Sequence, residues 1–432
     1  MNPSINTKQF KHFLMLLLTQ SLSSLGSSMT SFALVVWSYQ QEGSALRTAL
    51  LTVCSYAPYV LISIFAGAIS DRWSKKRIML VCDAFAACCT LATAALLRAG
   101  RLAIWHLYLL NALSGLMNTF QQPASDVTIT LLTPKSHYQL ASGLRSLSNS
   151  LCSMLAPALA TALLMLAGIQ TVILFDLFTF AAAFASLFFL IPIPEITEDK
   201  RTKESVLSMA KSGLGYLREN PGILHLILFL AAINFSASVY NAAFPAMLLS
   251  REGGGEAALG LVNSMTGAAM IAGSLLASVW PEPKSRVRII CNTLLLSMST
   301  ENFLLAFGRN VPVWCTGALL GWIAIPLMNA NLDVVFRVRI PVAMQGRVYS
   351  ARNTLQFFTI PIGYMVGGFL VDRVFEPFMA VQASGNIWHL LFGEGKGSGA
   401  AFLFALLWLV GIVTCLIFRK DRHIWALEKE QK

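Results

Sequence analysis

One short stretch gathers most of the chemically able side chains in a chain otherwise poor in them. It reads Gly67-Ala-Ile-Ser-Asp71-Arg72-Trp-Ser-Lys75-Lys76-Arg77. A carboxylate so placed pairs with a basic side chain or caps a helix N-terminus. The glycine admits a second helix at close range. The chemistry on offer is an electrostatic latch that holds two bodies together and releases when they part. Five further acids, Asp83, Asp126, Asp176, Glu301 and Asp333, lie in or beside apolar runs. There a carboxyl group must find a cation, a hydrogen-bond donor or a proton, because uncompensated charge is expensive. At about 1.5 Å per residue, Asp83 lies about 9 Å beyond Arg77, and Glu301 stands a comparable distance from the far end of its own run. Asp83, Asp126, Arg145, Asp333 and Arg352 are expected to form an inner charge network, with proton carriage as a second role.

Covalent and nucleotide chemistry have no equivalent signal. No G-x4-G-K-[ST] loop occurs, so ATP is not expected to drive this chain. The six histidines, His12, His106, His137, His225, His389 and His423, are scattered and form no H-E-x-x-H, and no G-x-S-x-G is present. The eight cysteines all fall inside apolar runs without the paired spacing of a zinc site, so packing is their expected role. The expectation is a protein that is not an enzyme and that uses no metal or organic cofactor.

The elements that must position these groups follow from composition. The chain has 432 residues, 56% of them hydrophobic and 12% charged, with a mean hydropathy of +0.63. A soluble domain is roughly 25% charged, and a globule this apolar has too few polar side chains to cover itself. Twelve continuous apolar runs reach the roughly 20 residues a helix needs to cross a bilayer. They are 13–39, 48–70, 78–98, 103–123, 140–166, 169–191, 222–249, 258–280, 289–307, 312–335, 347–371 and 400–418. Their continuity excludes the alternating strands of a membrane barrel. The first run is long and lacks a clear A-x-A site, so it is expected to remain as the first span. With twelve spans both termini share a side, where 25 of the 32 Lys and Arg residues also fall, against 7 opposite. That asymmetry predicts cytoplasmic termini in a cell membrane. The net charge of +11 is therefore topological, and a nucleic-acid partner is not expected.

The chain also repeats itself. At an offset of 207, Asp126 meets Asp333, Pro134 meets Pro341 and Arg145 meets Arg352; near 206, Gly67 meets Gly273. Two six-helix bundles are expected, 1–191 and 221–432, joined by a cytoplasmic linker at 192–220. The linker holds an amphipathic segment with Val206, Ala210, Leu214 and Leu217 on one face, expected to lie on the membrane surface. The other long connection, 372–399, ends in Gly393, Gly395, Gly397 and Gly399, the composition of a flexible flap.

The ordered Gly67-to-Arg77 pattern, together with the twelve spans and the duplication, resembles the major facilitator superfamily over the whole chain. The resemblance implies an all-α polytopic membrane protein with two pseudo-symmetric six-helix bundles. It implies a cytoplasmic gate at Gly67, Asp71, Arg72, Lys76 and Arg77. The second copy carries Ala277 or Ser278 where the acid belongs, so any latch there must differ. Gly143, Cys152, Ala156, Pro157, Ala160 and Thr161 resemble the family's antiporter motif with several glycines replaced, and Pro361, Gly363, Gly367 and Gly368 form a related set. Asn111, ahead of Gly115, stands where drug–proton antiporters place an arginine, and the first span has no internal carboxylate. Those departures, with Gln122-Pro123-Ala124 and Gln345-Gly346-Arg347-Val348-Tyr349-Ser350, are similar to the macrolide-efflux (drug–proton antiporter-3) branch.

Polar side chains recur at helical spacing in several spans. Gln20, Ser24, Ser27, Tyr56, Asn111, Asn234, Ser238, Asn241 and Gln356 are expected to face a substrate cavity or other helices, since lipid-facing surfaces do not tolerate them. Tyr59, Tyr240, Phe244 and Trp322 offer aromatic walls. The combined expectation is a monomeric exporter of small hydrophobic, macrolide-like drugs, embedded in the lipid bilayer and driven by protons. Exporters of a siderophore or peptide metabolite and a lysophospholipid flippase are the alternatives.

Overall fold

The computed structural model describes residues 3–134, 138–193, 206–281, 283–383 and 385–429. Among them the secondary structure is helical, and nine helices are long and apolar enough to cross a membrane. One of these, within 147–190, is two arms folded at Gly168, whose φ of 77° favours a residue without a Cβ. Two more helices, of 40 and 29 residues, carry the polar stripes noted above, which lower their hydropathy. Twelve passages are consistent with this arrangement. Leu61, Leu166, Phe178, Phe189, Leu275 and Ile417 are between 61% and 84% exposed, a surface suited to lipid and not to water.

The chain divides into two compact units, one of residues 1–37 and 54–203, the other of 38–53 and 204–432. The first contains most of α1 (Pro3–Glu42) and α2 (Ala45–Arg72), with α3 (Lys75–Arg98), α4 (Ile104–Leu132) and α5 (Tyr138–Ala185), which continues into a π-helical turn, Ser186–Leu190. Its core has two parts. Phe13, Leu16, Met79, Leu132, Leu187 and Ile191 fill one. Small residues of α5, Ala156 and Ala160, close against Met29, Ala33 and Val172 in the other.

The second unit holds α6 (Val206–Glu219), α7 (Pro221–Ser250), α8 (Glu256–Val279), α9 (Arg286–Phe307), α10 (Val311–Trp322), α11 (Ile325–Arg339), α12 (Val342–Phe357) and α13 (Thr359–Phe369). A π-helical turn, Leu370–Phe375, leads to α14 (Glu376–Ala380), α15 (Ile387–Phe392), α16 (Ser398–Arg419) and α17 (Arg422–Lys429). Two runs that are continuous in hydropathy are broken in space. Pro326 and Pro361 each lack an N–H and crowd the carbonyl four residues back, and the breaks fall just before them, at 323–324 and at Phe358.

Of the apolar face expected on the linker helix α6, the side chains of Leu214 and Leu217 are described. Leu217 is buried among α7 and α12 residues while Leu214 is half exposed. Tyr216 donates its hydroxyl to the Arg339 carbonyl at 3.0 Å. One turn thus docks on the unit. The side chains of Val206 and Ala210 lie outside the described residues.

The 372–399 segment corrects the expectation of a flexible flap. Glu376 accepts from the Gly397 and Ala400 N–H groups at 3.0 and 3.1 Å. Phe375, Phe378, Trp388 and Phe392 pack on Phe402. Arg251, buried beside Trp314, donates to the carbonyls of Leu305, Ala306 and Phe392. The glycines there supply positive φ at Gly393, Gly395 and Gly397 for tight turns and give fixed structure, not mobility.

The short C-terminal helix α17 is clasped to the same unit. Asp421 caps it by accepting from the His423 N–H at 2.8 Å, and meets His225 Nδ1 at 2.6 Å. Burial alone raises the Asp421 carboxyl, but the hydrogen bonds from His225 and from the His423 and Ile424 backbone outweigh it and hold it below its usual range. A depressed folded-state value means the contact contributes fully above the ordinary carboxylate range and fades as pH falls through the lowered value. Hydrogen exchange across 422–429, taken relative to the intrinsic amide rate at each pH, is therefore expected to stay slow from neutral pH to about pH 5 and to quicken in stronger acid. Asp421→Asn should quicken it already at neutral pH.

Candidate functional site

In the first unit the gate sequence begins at the end of α2. The side chains of residues 63–72, and with them Gly67, Asp71 and Arg72, lie outside the described residues. Beyond them, Lys75 is buried, Arg77 is exposed, and Lys76 Nζ donates to the carbonyls of Phe188 and Ile191 at 3.1 and 2.9 Å. Lys76 thus places a cation at the carbonyl end of the sixth passage, where the helix dipole favours it.

Among the described residues three carboxylates are buried in apolar surroundings, and each is met by neutral donors. Asp83, on α3, is 8% exposed and accepts from Gln20 Nε2 of α1 at 3.3 Å and Gln121 Nε2 of α4 at 2.5 Å. Asp176 accepts from Ser27 Oγ at 3.0 Å, and a Cβ on Gly26 would stand 2.9 Å from its Cα. In the second unit Glu301, on α9, is 6% exposed and accepts from the Tyr240 hydroxyl of α7 at 2.7 Å and the Trp322 indole N–H at the end of α10 at 2.9 Å. Asp83 and Glu301 share a pattern of partners but not a depth, Asp83 lying eight residues from the start of α3 and Glu301 six from the end of α9. Each sits on the third passage of its repeat and takes one donor from the first passage and one from the fourth.

The expected charge network separates into local contacts. Asp126 and Arg145 pair at 2.5 Å on a half-exposed surface, where such a pair contributes at most about 1 kcal/mol. Asp83 takes its two amides apart from that pair. In the second unit Arg352 donates to Gln356 Oε1 at 3.0 Å and lies 4.5 Å from the Phe336 ring centre. Asp333, exposed, is near enough to act on its charge.

The polar stripes are similarly engaged. Asn111 donates to the Leu107 carbonyl, Asn234 to that of Gln356, and Ser238 to that of Asn234. Ser24, Ser27, Tyr56 and Asn241 are exposed. Tyr240 and Trp322 turn their polar ends to Glu301, and Tyr240 is buried, stacked on Phe244 with ring centres 5.1 Å apart. The antiporter-like residues pack within their own units. Ala156 and Pro157 are buried, and Cys152 and Ser148 reach Ser21 of α1. Pro361 is half-buried at the start of α13, and Gly363 presses on Ser238 and Phe235 of α7. Gly143 lies outside the described side chains.

Sequence reasoning did not find the donors of Glu301. It also missed a clip on the 38–53 segment, which packs with the second unit. Asp372 accepts from the Ala45 and Leu46 N–H groups at 2.9 Å each and from Ser44 Oγ at 2.5 Å, capping α2 from 326 to 328 residues away. Gly368 lets α13 approach Leu46 Cα. Tyr39 meets Ser250 at 2.6 Å. The one available signal was the pair Asp372 and Glu376, one helical turn apart.

Comparison with known proteins bears on the whole chain. The Major Facilitator Superfamily profile matches residues 16–364. Macrolide efflux protein A of Streptococcus pyogenes is 21% identical over 379 residues, 87% of this chain and 90% of that protein. The uncharacterized MFS-type transporter YfiS of Bacillus subtilis (strain 168) is 23% identical over 371 residues, 84% and 88% of the two chains. Among solved structures, a bacterial homologue of the human lysosomal transporter Spinster superposes with a TM-score of 0.69 at 13% identity, covering 99% of this chain and 98% of that one. At that identity the likeness is one of fold.

Proposed function

The chain belongs to the Major Facilitator Superfamily, a family of membrane transporters, and from that premise we propose that it exports small hydrophobic, macrolide-like molecules using the proton motive force. The observation that carries this reading is the similarity to macrolide efflux protein A along 87% of the chain. The absence of a nucleotide loop in the sequence and the carboxyl groups set among neutral donors support a proton as the driving ion. One charge crossing 100 mV supplies about 2.3 kcal/mol, which sustains roughly a 45-fold gradient. The protein works as a monomer in the plasma membrane with both termini in the cytoplasm, by alternating access between two halves of six passages. Asp71, with Arg72, Lys76 and Arg77, latches the cytoplasmic side.

The test is accumulation of a macrolide panel in cells expressing the protein, with and without an uncoupler. Lower accumulation that the uncoupler reverses is expected; unchanged accumulation across the panel removes the drug assignment. Within that assay, Asp71→Asn should cut efflux about tenfold or more while membrane abundance holds. Full efflux by that variant would remove the latch.

A further inference from the structure

Glu301 is the single acid of α9, 15 residues from Arg286 and six from Phe307, or about 22 and 9 Å along the helix. Among the described residues the elements around it bring no ionic partner to its level: Arg309, just past the end of α9, donates to the Leu390 carbonyl, and Glu256, the one charge of α8, stands at its start. On α9 itself Arg286 and Arg288 stand at the far start, and α10 carries no charge. On α11 the charged residues are Asp333, Arg337 and Arg339, at least 11 residues past Trp322. Arg419 is at the distant end of α16, His225 in the first turns of α7, and the charges of α17 lie beyond Arg419. His389 of α15 turns to the Met379 carbonyl and Glu394. Arg251 is committed to the Leu305, Ala306 and Phe392 carbonyls.

The two oxygens of Glu301 differ. Both donors, Tyr240 and Trp322, fall on Oε1. Oε2 lies against Gly321, where a Cβ would stand 2.7 Å away, and no donor reaches it among the described residues. Asp83 differs: Gln20 and Gln121 each take a separate oxygen. Oε2 therefore faces the last turn of α10, the partially negative end of a helix that stops at Trp322. A negative charge is disfavoured there and a proton is welcome. Trp322 itself borders the break between α10 and α11, so any motion at that break moves a ligand of the carboxyl group.

We propose that Glu301 is the binding site of the transported proton: Oε2 takes and releases it, while Oε1 holds the Tyr240 hydroxyl and the Trp322 indole. This assignment rests on the proton-driven reading above. The proton adds to a carboxylate lone pair and leaves from the same atom, with no covalent bond to substrate.

Infrared difference spectroscopy on the purified, lipid-reconstituted protein tests it without any substrate. A protonated-carboxyl C=O band that titrates with pH is expected, lost in Glu301→Gln and shifted in Trp322→Phe. A merely structural carboxyl group would give no band that titrates with pH. Glu301→Gln keeps an acceptor for both donors, and gel filtration verifies its fold. If it fails to fold, the Trp322→Phe shift decides. In cells, Glu301→Gln should lose uphill efflux about tenfold or more. An unchanged band in either folded variant, or full uphill efflux in Glu301→Gln, overturns the site. Uncoupler-insensitive efflux by the unsubstituted protein would instead overturn the proton-driven reading, while the band still decides whether Glu301 binds a proton.

Discussion

Gly273→Leu is expected to leave almost no folded protein. A Cβ at Gly273 would stand 2.0 Å from the Ile323 carbonyl oxygen and 2.9 Å from its carbon. The obstruction is backbone, so no side chain can rotate away. It is also the backbone at the break between α10 and α11, where Pro326 has fixed the local geometry. In a bilayer, where helices gain little from burying apolar surface against each other, such close approaches carry much of the association. Forcing α8 away is expected to cost more than about 4 kcal/mol. The first unit has a counterpart: Gly115 of α4 would place a Cβ 2.0 Å from the Ser55 carbonyl of α2. In both units, then, the second and fourth passages cross at a glycine, supplied by the fourth in one and the second in the other. Gel filtration of a fluorescent fusion in detergent should show the monodisperse peak lost for Gly273→Leu and Gly115→Leu. Gly215→Leu, with nothing within 4 Å, should keep it. A normal peak for Gly273→Leu would mean the crossing is wider than described.

Asp372→Ala is expected to release the turn between α1 and α2. The carboxylate takes two backbone N–H groups and one hydroxyl at the start of α2, donors that no intrahelical carbonyl can reach. Leaving them unpaired costs about 1–3 kcal/mol, or roughly 5- to 150-fold in a local opening equilibrium. Loss of the charge at a helix N-terminus adds a smaller share. Amide exchange across 38–53 should accelerate within that range. Asp372→Asn, which keeps one acceptor oxygen, should fall between. Exchange unchanged in the alanine variant would show that Gly368 and Tyr39 hold the turn without the clip.

Much of the fold was legible because it is a matter of solvent. Continuous runs of twenty apolar residues satisfy their backbone in lipid as helices, so the all-helical class followed from the sequence, and twelve passages are consistent with the structure. Breaks were not legible by counting, because Pro326 and Pro361 interrupt runs without lowering their hydropathy. The flap expectation failed for a related reason: glycine composition does not distinguish a mobile loop from one that uses positive φ to turn sharply under Glu376 and Arg251.

The site was harder to read because polar groups in an apolar interior pair locally with whatever is near. Gln20 and Ser27 share a stripe in the sequence, yet one serves Asp83 and the other Asp176. Glu301 was visible as a lone acid. Its partners, 61 and 21 residues away, were visible only as aromatics. The clip on α2 spans more than 320 residues, and the pair Asp372 and Glu376 gives no sign of where its partners lie.

Proton-driven export is tested most directly with purified protein in liposomes loaded with a fluorescent macrolide. An imposed pH gradient should move the drug uphill, in the direction opposite to proton flow. A protonophore should abolish that movement, and external alkalinisation should follow drug flux. Drug movement of equal rate and extent with no gradient, or none under any gradient, would contradict the account.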